Sequence, residues 1–344
     1  MRIGNLMKRG ATIAVILALC VAFLPGPAPV QAAVVSDNGW TIVFDYSHGQ
    51  YSSYVELMDE WLEGNLSDLG FTVIWAVGGL NDSILADADA LILGAIYGDN
   101  GFTADEVTAV GAWFNAGDRF LWVGGDSDYG GTNIGDNMTL ILEEVGSHVY
   151  HEPTAIEDPI SNAGGSGYRA VANTTSDDAF VAGIVEGVDA VLMHGPTMLY
   201  GSDSDTPGEN VDPVALETES IANVYPLLYY GDGAQIADGD VTYPYAHDDG
   251  DIGGFVAATL EVAAGAAGTG VIIVSGASPY GDYSPMINHE YYSVPLNGEK
   301  LVVQGITVGL EKALVPDDMT MIYLAVGVGA VVIVIIVIVI MKKR

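Results

Sequence analysis

Residues 90–124, ALILGAIYGDNGFTADEVTAVGAWFNAGDRFLWVG, decide the fold class of this chain. Two apolar runs of strand length, 90–95 and 119–123, flank a segment whose apolar residues recur at helical spacing. Thr103 and Glu106 have the spacing of a capping box, in which both side chains satisfy free backbone amides, and so predict a helix start. A strand, a helix and a further strand in this order are typical of a parallel sheet covered by helices.

The same alternation continues on both sides of this unit and predicts an α/β domain with a mainly parallel sheet and helices on both faces. Between 148 and 251, clusters of Gly, Asp, Ser and Pro interrupt the pattern, which predicts a β-rich insertion on the sheet. The other predicted elements are strands at 41–45, 71–76, 190–194, 224–230 and 270–274, an ordered segment at 254–262, and helices at 52–69, 83–86, 137–145 and 298–313.

The two ends of the chain predict its location. Residues 1–32 combine basic residues, an apolar stretch and small residues before Ala32, which is typical of a cleaved signal peptide. Residues 320–341 are long and apolar enough for one C-terminal transmembrane helix, and residues 342–344 are a basic, cytoplasmic tail. We predict a single-pass type I protein of the cell membrane whose domain, residues 33–316, is extracellular.

The charge balance narrows the possible partners. The chain has 45 acidic and 10 basic side chains and a net charge of −35. The basic side chains between residue 33 and the predicted membrane helix are Arg119, Arg169, Lys300 and Lys312. Such an acidic domain repels nucleic acid and suits a halotolerant or archaeal-like cell surface, so we expect no nucleic-acid partner.

Cysteine and asparagine patterns agree with an exterior domain. Cys20 is the single cysteine and lies in the predicted signal peptide, so the mature domain has no disulfide, thiolate metal site or cysteine nucleophile. Four sequons make the chain a candidate glycoprotein: Asn65, Asn81, Asn137 and Asn173.

Three segments carry a family resemblance. They are residues 41–49 (TIVFDYSHG), residues 88–125, and residues 271–276 with Asp282 and Asn288 in the following loop. Together they resemble non-catalytic class I glutamine amidotransferase-like (GATase1-like, DUF4350-type) domains, as in gliding-motility ABC-transporter accessory proteins and intraflagellar-transport proteins. The resemblance covers most of the domain apart from the insertion. It implies a flavodoxin-like sheet and a role in the cell envelope.

The same resemblance argues against amidotransferase chemistry. In the catalytic relatives a cysteine occupies the turn after the strand that corresponds to residues 120–123. Here Gly124, Gly125 and Asp126 fill that turn. We therefore expect no amidotransferase activity and do not predict an enzyme.

Polar side chains follow several of the predicted strands, and ligands of open α/β sheets bind where such strand ends converge. We expect a site centred on Asp45, His48, Asp126 and Asp282 rather than on the insertion, which has few apolar anchors. The alternative is that these side chains only cap turns and helices. The full candidate ligand-binding set is Asp45, Ser47, His48, Asp126, Ser127, Asp128, Ser275, Asp282, Asn288 and His289.

Three other interpretations of these residues stay open. A serine hydrolase would use Ser127 as nucleophile, His48 or His289 as base and Asp282 as acid, although the sequence lacks the second glycine of a nucleophile elbow. Calcium could bind carboxylates in two glycine-flanked loops, which match no EF-hand and are otherwise solvated turns: Asp126, Asp128, Asp248, Asp249 and Asp251. Tyrosines could form an aromatic surface for a sugar or peptide, or pack as ordinary strand residues: Tyr225, Tyr229, Tyr230, Tyr243, Tyr245, Tyr280, Tyr283, Tyr291 and Tyr292.

The leading hypothesis from the sequence is a membrane-anchored, non-catalytic envelope protein. Its domain would bind a solute, a glycan or a partner protein, with a transporter as one such partner. No cofactor is expected, with calcium as the exception just described.

Overall fold

The computed structural model describes residues 39–50, 52–97, 100–128, 134–237 and 244–314. The predicted signal peptide, transmembrane helix and basic tail lie outside these residues and stay predictions. Within the described part of the chain, no helix combines the length and the apolar character that crossing a membrane requires.

The elements agree in type with those predicted before residue 146, at 270–275 and at 298–314, and the ordered segment predicted at 254–262 is a strand. The helices are α1 (Ser52–Asp68), α2 (Asp82–Leu85), α3 (Ala104–Asn115), α4 (Ile134–Val145), α5 (Ala182–Val185) and α6 (Gly298–Leu314). The strands are β1 (Thr41–Asp45), β2 (Thr72–Ala76), β3 (Ala90–Leu93), β4 (Phe120–Gly124), β5 (Val149–His151), β6 (Ala155–Glu157), β7 (Arg169–Ala172), β8 (Thr174–Thr175), β9 (Val191–His194), β10 (Leu199–Ser202), β11 (Pro213–Val214), β12 (Val224–Tyr229), β13 (Gln235–Ala237), β14 (Val256–Ala264), β15 (Gly270–Ser275), β16 (Glu290–Tyr291) and β17 (Val294–Pro295).

The main sheet has eight strands in the order β2-β1-β3-β4-β15-β14-β12-β8. The first five strands are parallel neighbours, whereas β14, β12 and β8 pair in antiparallel fashion. The sheet is therefore mixed, and the predicted parallel arrangement holds for its first five strands but not for β14, β12 and β8. The physical reason is the short loop 265–269 between β14 and β15, because parallel neighbours need a crossover of roughly a dozen residues or more.

Alternate side chains of the parallel strands enter two separate cores, one on each face of the sheet. Ile42 and Phe44 of β1 lie in one core and Val43 lies in the other. Helices α1 and α6 cover the first face, to which Ile306 contributes, and α3 and α4 cover the second, to which Val110 contributes. Burying one such side chain contributes roughly 1.5–3 kcal/mol. The domain thus has helices on both faces, as predicted.

The predicted capping box at the start of α3 is confirmed. The Thr103 hydroxyl accepts a hydrogen bond from the Glu106 amide at 3.3 Å, and the Glu106 carboxylate accepts one from the Thr103 amide at 2.9 Å. Both contacts satisfy amides that have no partner inside the helix. Glu106 is thereby held in one orientation, which bears on the site below.

The insertion is more regular than its composition suggested. It forms the pairs β7–β9 and β6–β13 and the three-stranded sheet β11-β10-β5. It also contributes β8 and β12 to the main sheet, so it extends that sheet instead of lying only on it.

Candidate functional site

Four parallel strand ends meet at one edge of the main sheet. β1, β3, β4 and β15 are neighbours there, and the strand order reverses between β1 and β3. Tyr280, fully buried in the loop after β15, places its hydroxyl 2.6 Å from the backbone oxygen of Asp45 and 2.9 Å from that of Ile92. It ties the ends of β1 and β3 to this loop. Open α/β sheets bind ligands at such an edge.

Asp45 organises the loop after β1. Its fully buried carboxylate accepts hydrogen bonds from the Ser47 amide at 3.0 Å, the Ser47 hydroxyl at 2.6 Å and Gln50 Nε2 at 3.1 Å. It also lies 2.7 Å from His48 Nδ1. Asp45 therefore caps this turn and gathers Ser47 and His48 around itself, which is one of the two roles considered for it.

His48 lies between two carboxylates. Nδ1 faces Asp45, while Nε2 lies 3.3 Å from Glu106 Oε1 and the ring packs 4.5 Å from that of Phe102. Burial alone would lower the pKa of His48, but the hydrogen bond and charge of Asp45, with Glu106, raise it above its ordinary value. The surroundings therefore favour the charged imidazolium.

Asp126 and Asp282 are brought together by Tyr97, which follows β3. The Tyr97 hydroxyl donates to Asp282 Oδ1 and lies 3.5 Å from Asp126 Oδ2. Burial raises the pKa of both carboxyls above the ordinary aspartate value, and the charge of Asp282 adds to this effect on Asp126. Burial and the same two carboxylates raise the pKa of Tyr97, so its hydroxyl keeps its proton. The three groups form a compact donor and acceptor cluster.

Replacing Tyr97 with phenylalanine should raise the pKa of the two aspartates further. The reason is that the hydrogen bond from the Tyr97 hydroxyl lowers the pKa of both carboxyls. Carboxyl-carbon NMR titration of selectively labelled protein would measure the shift. Tyr245→Phe is the matched control, because the Tyr245 hydroxyl donates to Glu209 at 3.0 Å instead. An unchanged titration of both aspartates in Tyr97→Phe would contradict the bridging role of Tyr97.

The insertion forms a wall beside the loop after β4, although the expected site was centred outside the insertion. The Ser127 amide donates to the Gly195 oxygen at 2.7 Å and the Asp128 amide to the Thr154 oxygen at 3.2 Å. Gly195 has a φ of 56°, and a Cβ there would lie 3.1 Å from Asp126 Oδ1, so glycine permits this approach. The insertion can hold this geometry because β9 and β10 carry fully buried side chains, which its composition did not predict.

A group of aromatic rings, which we call the tyrosine cluster, lies beside that wall. The rings of Tyr168 and Tyr283 lie 5.5 Å from the ring of His194, and that of Tyr291 lies 5.8 Å from it. Tyr168, Tyr283 and Tyr292 keep 41%, 43% and 58% of their surface exposed. The cluster consists of Tyr168, Tyr283, Tyr291 and Tyr292 around His194 and Arg169.

His194 is a neutral member of the cluster. Burial, assisted by the positive charge of Arg169, lowers the pKa of His194 to about 4. His194 precedes Gly195, and Tyr283 follows Asp282, so the cluster is continuous with the two aspartates. The exposed ring faces thus lie next to these two aspartates, which we call the acid pair; Asp126 is half-buried and Asp282 is buried.

The structure does not bring the remaining predicted ligand residues to this surface. Ser275 is fully buried, and its hydroxyl accepts from Trp122 Nε1 at 2.9 Å and donates to the Ala277 oxygen at 2.7 Å. The Asn288 side chain donates to the Pro285 oxygen at 2.8 Å. Both therefore stabilise backbone turns, and their prediction as ligand-binding residues has no support in these contacts.

The two histidines considered as bases for Ser127 have other partners. Both ring nitrogens of His48 face carboxylates, as described above. The ring of His289 packs 4.7 Å from that of Trp61 on α1, and its Nδ1 lies 3.6 Å from Glu299 on α6. The serine hydrolase interpretation thus gains nothing from these contacts.

The predicted calcium residues do not assemble into one group. Among the described residues, no three His, Cys, Asp or Glu side chains are arranged to hold a metal ion. The exposed loop of Asp248, Asp249 and Asp251 closes on itself, since the Asp248 amide donates to the Asp251 carboxylate at 3.0 Å. Calcium binding by these residues or by Asp126 and Asp128 stays a prediction.

The four sequon asparagines differ in exposure. Asn81 caps α2 by accepting from the Ser83 and Ile84 amides, and Asn173 is exposed with its amide nitrogen 3.0 Å from the Ser161 hydroxyl. Asn65 in α1 and Asn137 in α4 are half-buried in helices. Glycosylation at these four asparagines stays a prediction.

The tyrosines considered as one aromatic surface lie in different parts of the structure. Tyr283, Tyr291 and Tyr292 belong to the tyrosine cluster, whereas Tyr230 and Tyr280 are fully buried in the core. The other tyrosines pack elsewhere or lie outside the described residues: Tyr225 on Phe180, Tyr245 on Tyr200, Tyr229 in β12, and Tyr243 outside them.

Sequence reasoning missed Tyr97, Glu106, His194 and Arg169 as site residues. Glu106 was noticed only as a helix cap, although its second carboxylate oxygen also accepts from the Leu80 amide at 3.0 Å. Tyr97 could have been found, because it closely follows a predicted strand at the same sheet edge. Nothing in the local sequence points to His194 or Arg169, since their role depends on how the insertion folds.

No protein-family model matches this chain, and no curated protein matches it. Among solved structures, it is similar to the mmIFT52 N-terminal domain, with 12% identity over 80% of this chain and 98% of that one and a TM-score of 0.49. It is also similar to a ThuA-like protein from Bacteroides uniformis, with 11% identity over 82% and 95% and a TM-score of 0.41. A GMP synthase-like protein from Thermoplasma acidophilum gives 10% identity over 78% and 94% and a TM-score of 0.36.

Proposed function

We propose that this chain is a membrane-anchored cell-surface protein whose flavodoxin-like, amidotransferase-like domain binds a glycan and performs no catalysis. The observation that supports the proposal is the exposed tyrosine cluster, which lies next to the half-buried Asp126. Binding sites combine aromatic faces with a few placed polar groups that fix orientation. A sugar ring offers an apolar face to tyrosine and hydroxyls to a carboxylate such as that of Asp126, so it matches both kinds of group.

The backbone at Tyr292 supports a functional role for the cluster. Tyr292 and Ser293 form the turn between β16 and β17 and have φ values of 49° and 63°. A two-residue turn with both φ values positive favours Asn-Gly, and a bulky residue there is strained. Strain of this kind concentrates at functional sites, where a side chain is held in place at a cost in stability. The turn thus presents an exposed tyrosine where stability alone would select asparagine.

The proposal of a non-catalytic domain is supported by the turn after β4. Gly125 and Asp126 stand where the catalytic relatives suggested by the resemblance have cysteine. A transporter or another envelope protein could sit beside the domain in the membrane, and glycan binding by the surface described above does not require one.

The double variant Tyr292→Asn with Ser293→Gly tests the proposal. Stability should rise by about 0.5–1 kcal/mol because the turn loses strain, while the Kd for the bound glycan should rise about tenfold because a stacking face is lost. Full-length protein in detergent would be screened against an oligosaccharide array, and the strongest binder measured by calorimetry.

A matched control tests whether the loss of affinity is specific to the tyrosine cluster or follows from removing any exposed aromatic ring. Phe180 is 38% exposed and packs on Tyr225, which does not belong to the tyrosine cluster, so Phe180→Ala should leave the affinity unchanged. Unchanged affinity in the double variant, or no glycan bound by the wild-type chain, would refute the proposal. Hydrolysis of the bound oligosaccharide would refute its non-catalytic part.

A further inference from the structure

Arg169 is the positively charged member of the tyrosine cluster, and three tyrosine rings surround its guanidinium group. Its guanidinium carbon lies 4.2 Å from the ring centroid of Tyr292, 4.8 Å from that of Tyr168 and 5.9 Å from that of Tyr291. Its Nη2 donates to the Tyr168 hydroxyl at 2.6 Å. The rings hold the planar group in one orientation, which prepares it for an acid group that accepts through two oxygens.

No carboxylate of the described residues forms an ion pair with this arginine, although the chain has 45 acidic residues. In the described part of the chain every ion pair uses a histidine as the positive partner. The Nε of Arg169 is buried and, among the described residues, has no hydrogen-bond partner. A guanidinium has five donors, and the Tyr168 hydroxyl takes one of them, so this half-buried side chain keeps other donors for charge-assisted hydrogen bonds with another molecule.

The position of Arg169 links this capacity to the proposed glycan surface. Arg169 pairs with His194 across β7 and β9, and the Tyr168 oxygen accepts from the Gly195 amide at 2.7 Å. Gly195 in turn approaches Asp126. Arg169 therefore belongs to the part of the insertion that contacts the loop of Asp126, and His194 and Gly195 link the two.

We infer that Arg169, held among the rings of the tyrosine cluster, binds the acid group of an acidic glycan, a sugar bearing a carboxylate or a sulfate ester. This inference rests on the proposed function and adds the substrate class. A carboxylate or sulfate fits the two-pronged donor geometry of arginine, which lysine cannot reproduce. The net charge of the chain does not prevent it, because charges beyond about 8 Å are screened at physiological salt.

The experiment compares matched oligosaccharides on the full-length chain. An array of neutral, uronate-bearing and sulfated oligosaccharides of equal length identifies the strongest binder, and Kd values are then measured for its acidic and neutral forms. The wild-type chain should prefer an acidic form at least tenfold. Comparing the uronate with the sulfate distinguishes the two sources of the acid group.

Two variants separate ligand binding from a structural role of the arginine. In Arg169→Gln the ratio of acidic to neutral affinity should fall to about one, and Arg169→Lys should restore only part of the preference. An arginine that only supports the tyrosine rings would lower both affinities together and leave their ratio unchanged, which would overturn the inference.

The outcomes for the inference and for the proposed function are distinct. Glycan binding without preference for the acidic form would refute the acidic ligand and leave the proposed function standing. A preference that survives in Arg169→Gln would likewise refute the role of Arg169. Absence of all glycan binding would refute both.

Discussion

Replacing Asp45 with alanine is expected to lower the free energy of unfolding of the domain by about 3–5 kcal/mol. The fully buried carboxylate accepts hydrogen bonds from Ser47 and Gln50 and faces the ring of His48. Alanine would leave these donors without an acceptor and His48 with Glu106 as its one remaining carboxylate in the described structure. Buried donors that lose their acceptor bear the full cost of desolvation.

Urea titration of the domain, residues 33–316, followed by circular dichroism would measure this loss. Asp87→Ala is the matched control, because Asp87 is an exposed aspartate and its replacement should change stability by less than about 0.5 kcal/mol. Asp45→Asn keeps the size of the side chain and should cost less than alanine. A loss below about 1 kcal/mol in Asp45→Ala would show that Asp45 does not hold the loop after β1 together.

The second large effect is a loss of stability at alkaline pH that depends on His247. This buried ring lies 3.1 Å from Glu152 and 3.0 Å from Glu217 through its two nitrogens. The Glu152 carboxylate also accepts from the Tyr245 amide at 3.1 Å and the Ala246 amide at 2.6 Å. These contacts of Glu152 thereby fix the segment before β14 to the end of β5. Burial alone would lower the pKa of His247, but the two glutamates raise it to about 9.

The direction of the pH effect follows from this raised pKa. An unfolded histidine has a pKa of 6.5, so the contribution of the charged ring is complete below pH 6.5 and is lost as pH rises through about 9. The difference corresponds to about 3 kcal/mol. His247→Gln should therefore be less stable than the wild-type domain at pH 6 by about this amount, and the gap should close by pH 10.

Denaturant titrations of both proteins from pH 6 to pH 10 would measure the gap. Their difference removes the titration of the tyrosines, which both proteins share. His289→Gln is the matched control, because the His289 side chain is 52% exposed and no comparable gap is expected. A gap of constant size across the pH range would mean that His247 is not charged in the folded domain.

How far the sequence predicts a contact depends on the range of the interaction. Thr103 and Glu106 could be identified as a capping box because a helix start involves residues three apart, and the structure confirms it. The same glutamate contacts His48, and nothing in the local pattern indicates that second contact. The antiparallel pairing of β14, β12 and β8 was missed because the pattern of apolar residues indicates where a strand lies and how long it is, but not the direction of the neighbouring strand.

Asp126 and Asp282 show the same limit of sequence reasoning, which does not identify contacts between distant segments. Asp126 and Asp282 were placed at strand ends by the sequence, and the parallel neighbours β4 and β15 bring those ends together. Tyr97, which bridges them, belongs to a third strand end and was not singled out. Asn288 and His289 were included because they lie in the same loop, but that loop turns back toward α1 and α6 before it reaches them.

Sequence reasoning was sufficient for the α/β class, the burial of the parallel strands on both faces, the approximate bounds of the elements before residue 146 and the absence of a cysteine nucleophile from the predicted mature domain. These follow from periodicity, capping and composition, which are properties of neighbouring residues. The fold was needed to see that the insertion contacts the loop of Asp126, that Arg169 lies among three tyrosine rings and that His247 joins Glu152 to Glu217. The reason is physical: burial and charge pairing depend on which segments distant along the chain come to lie within a few ångströms of each other.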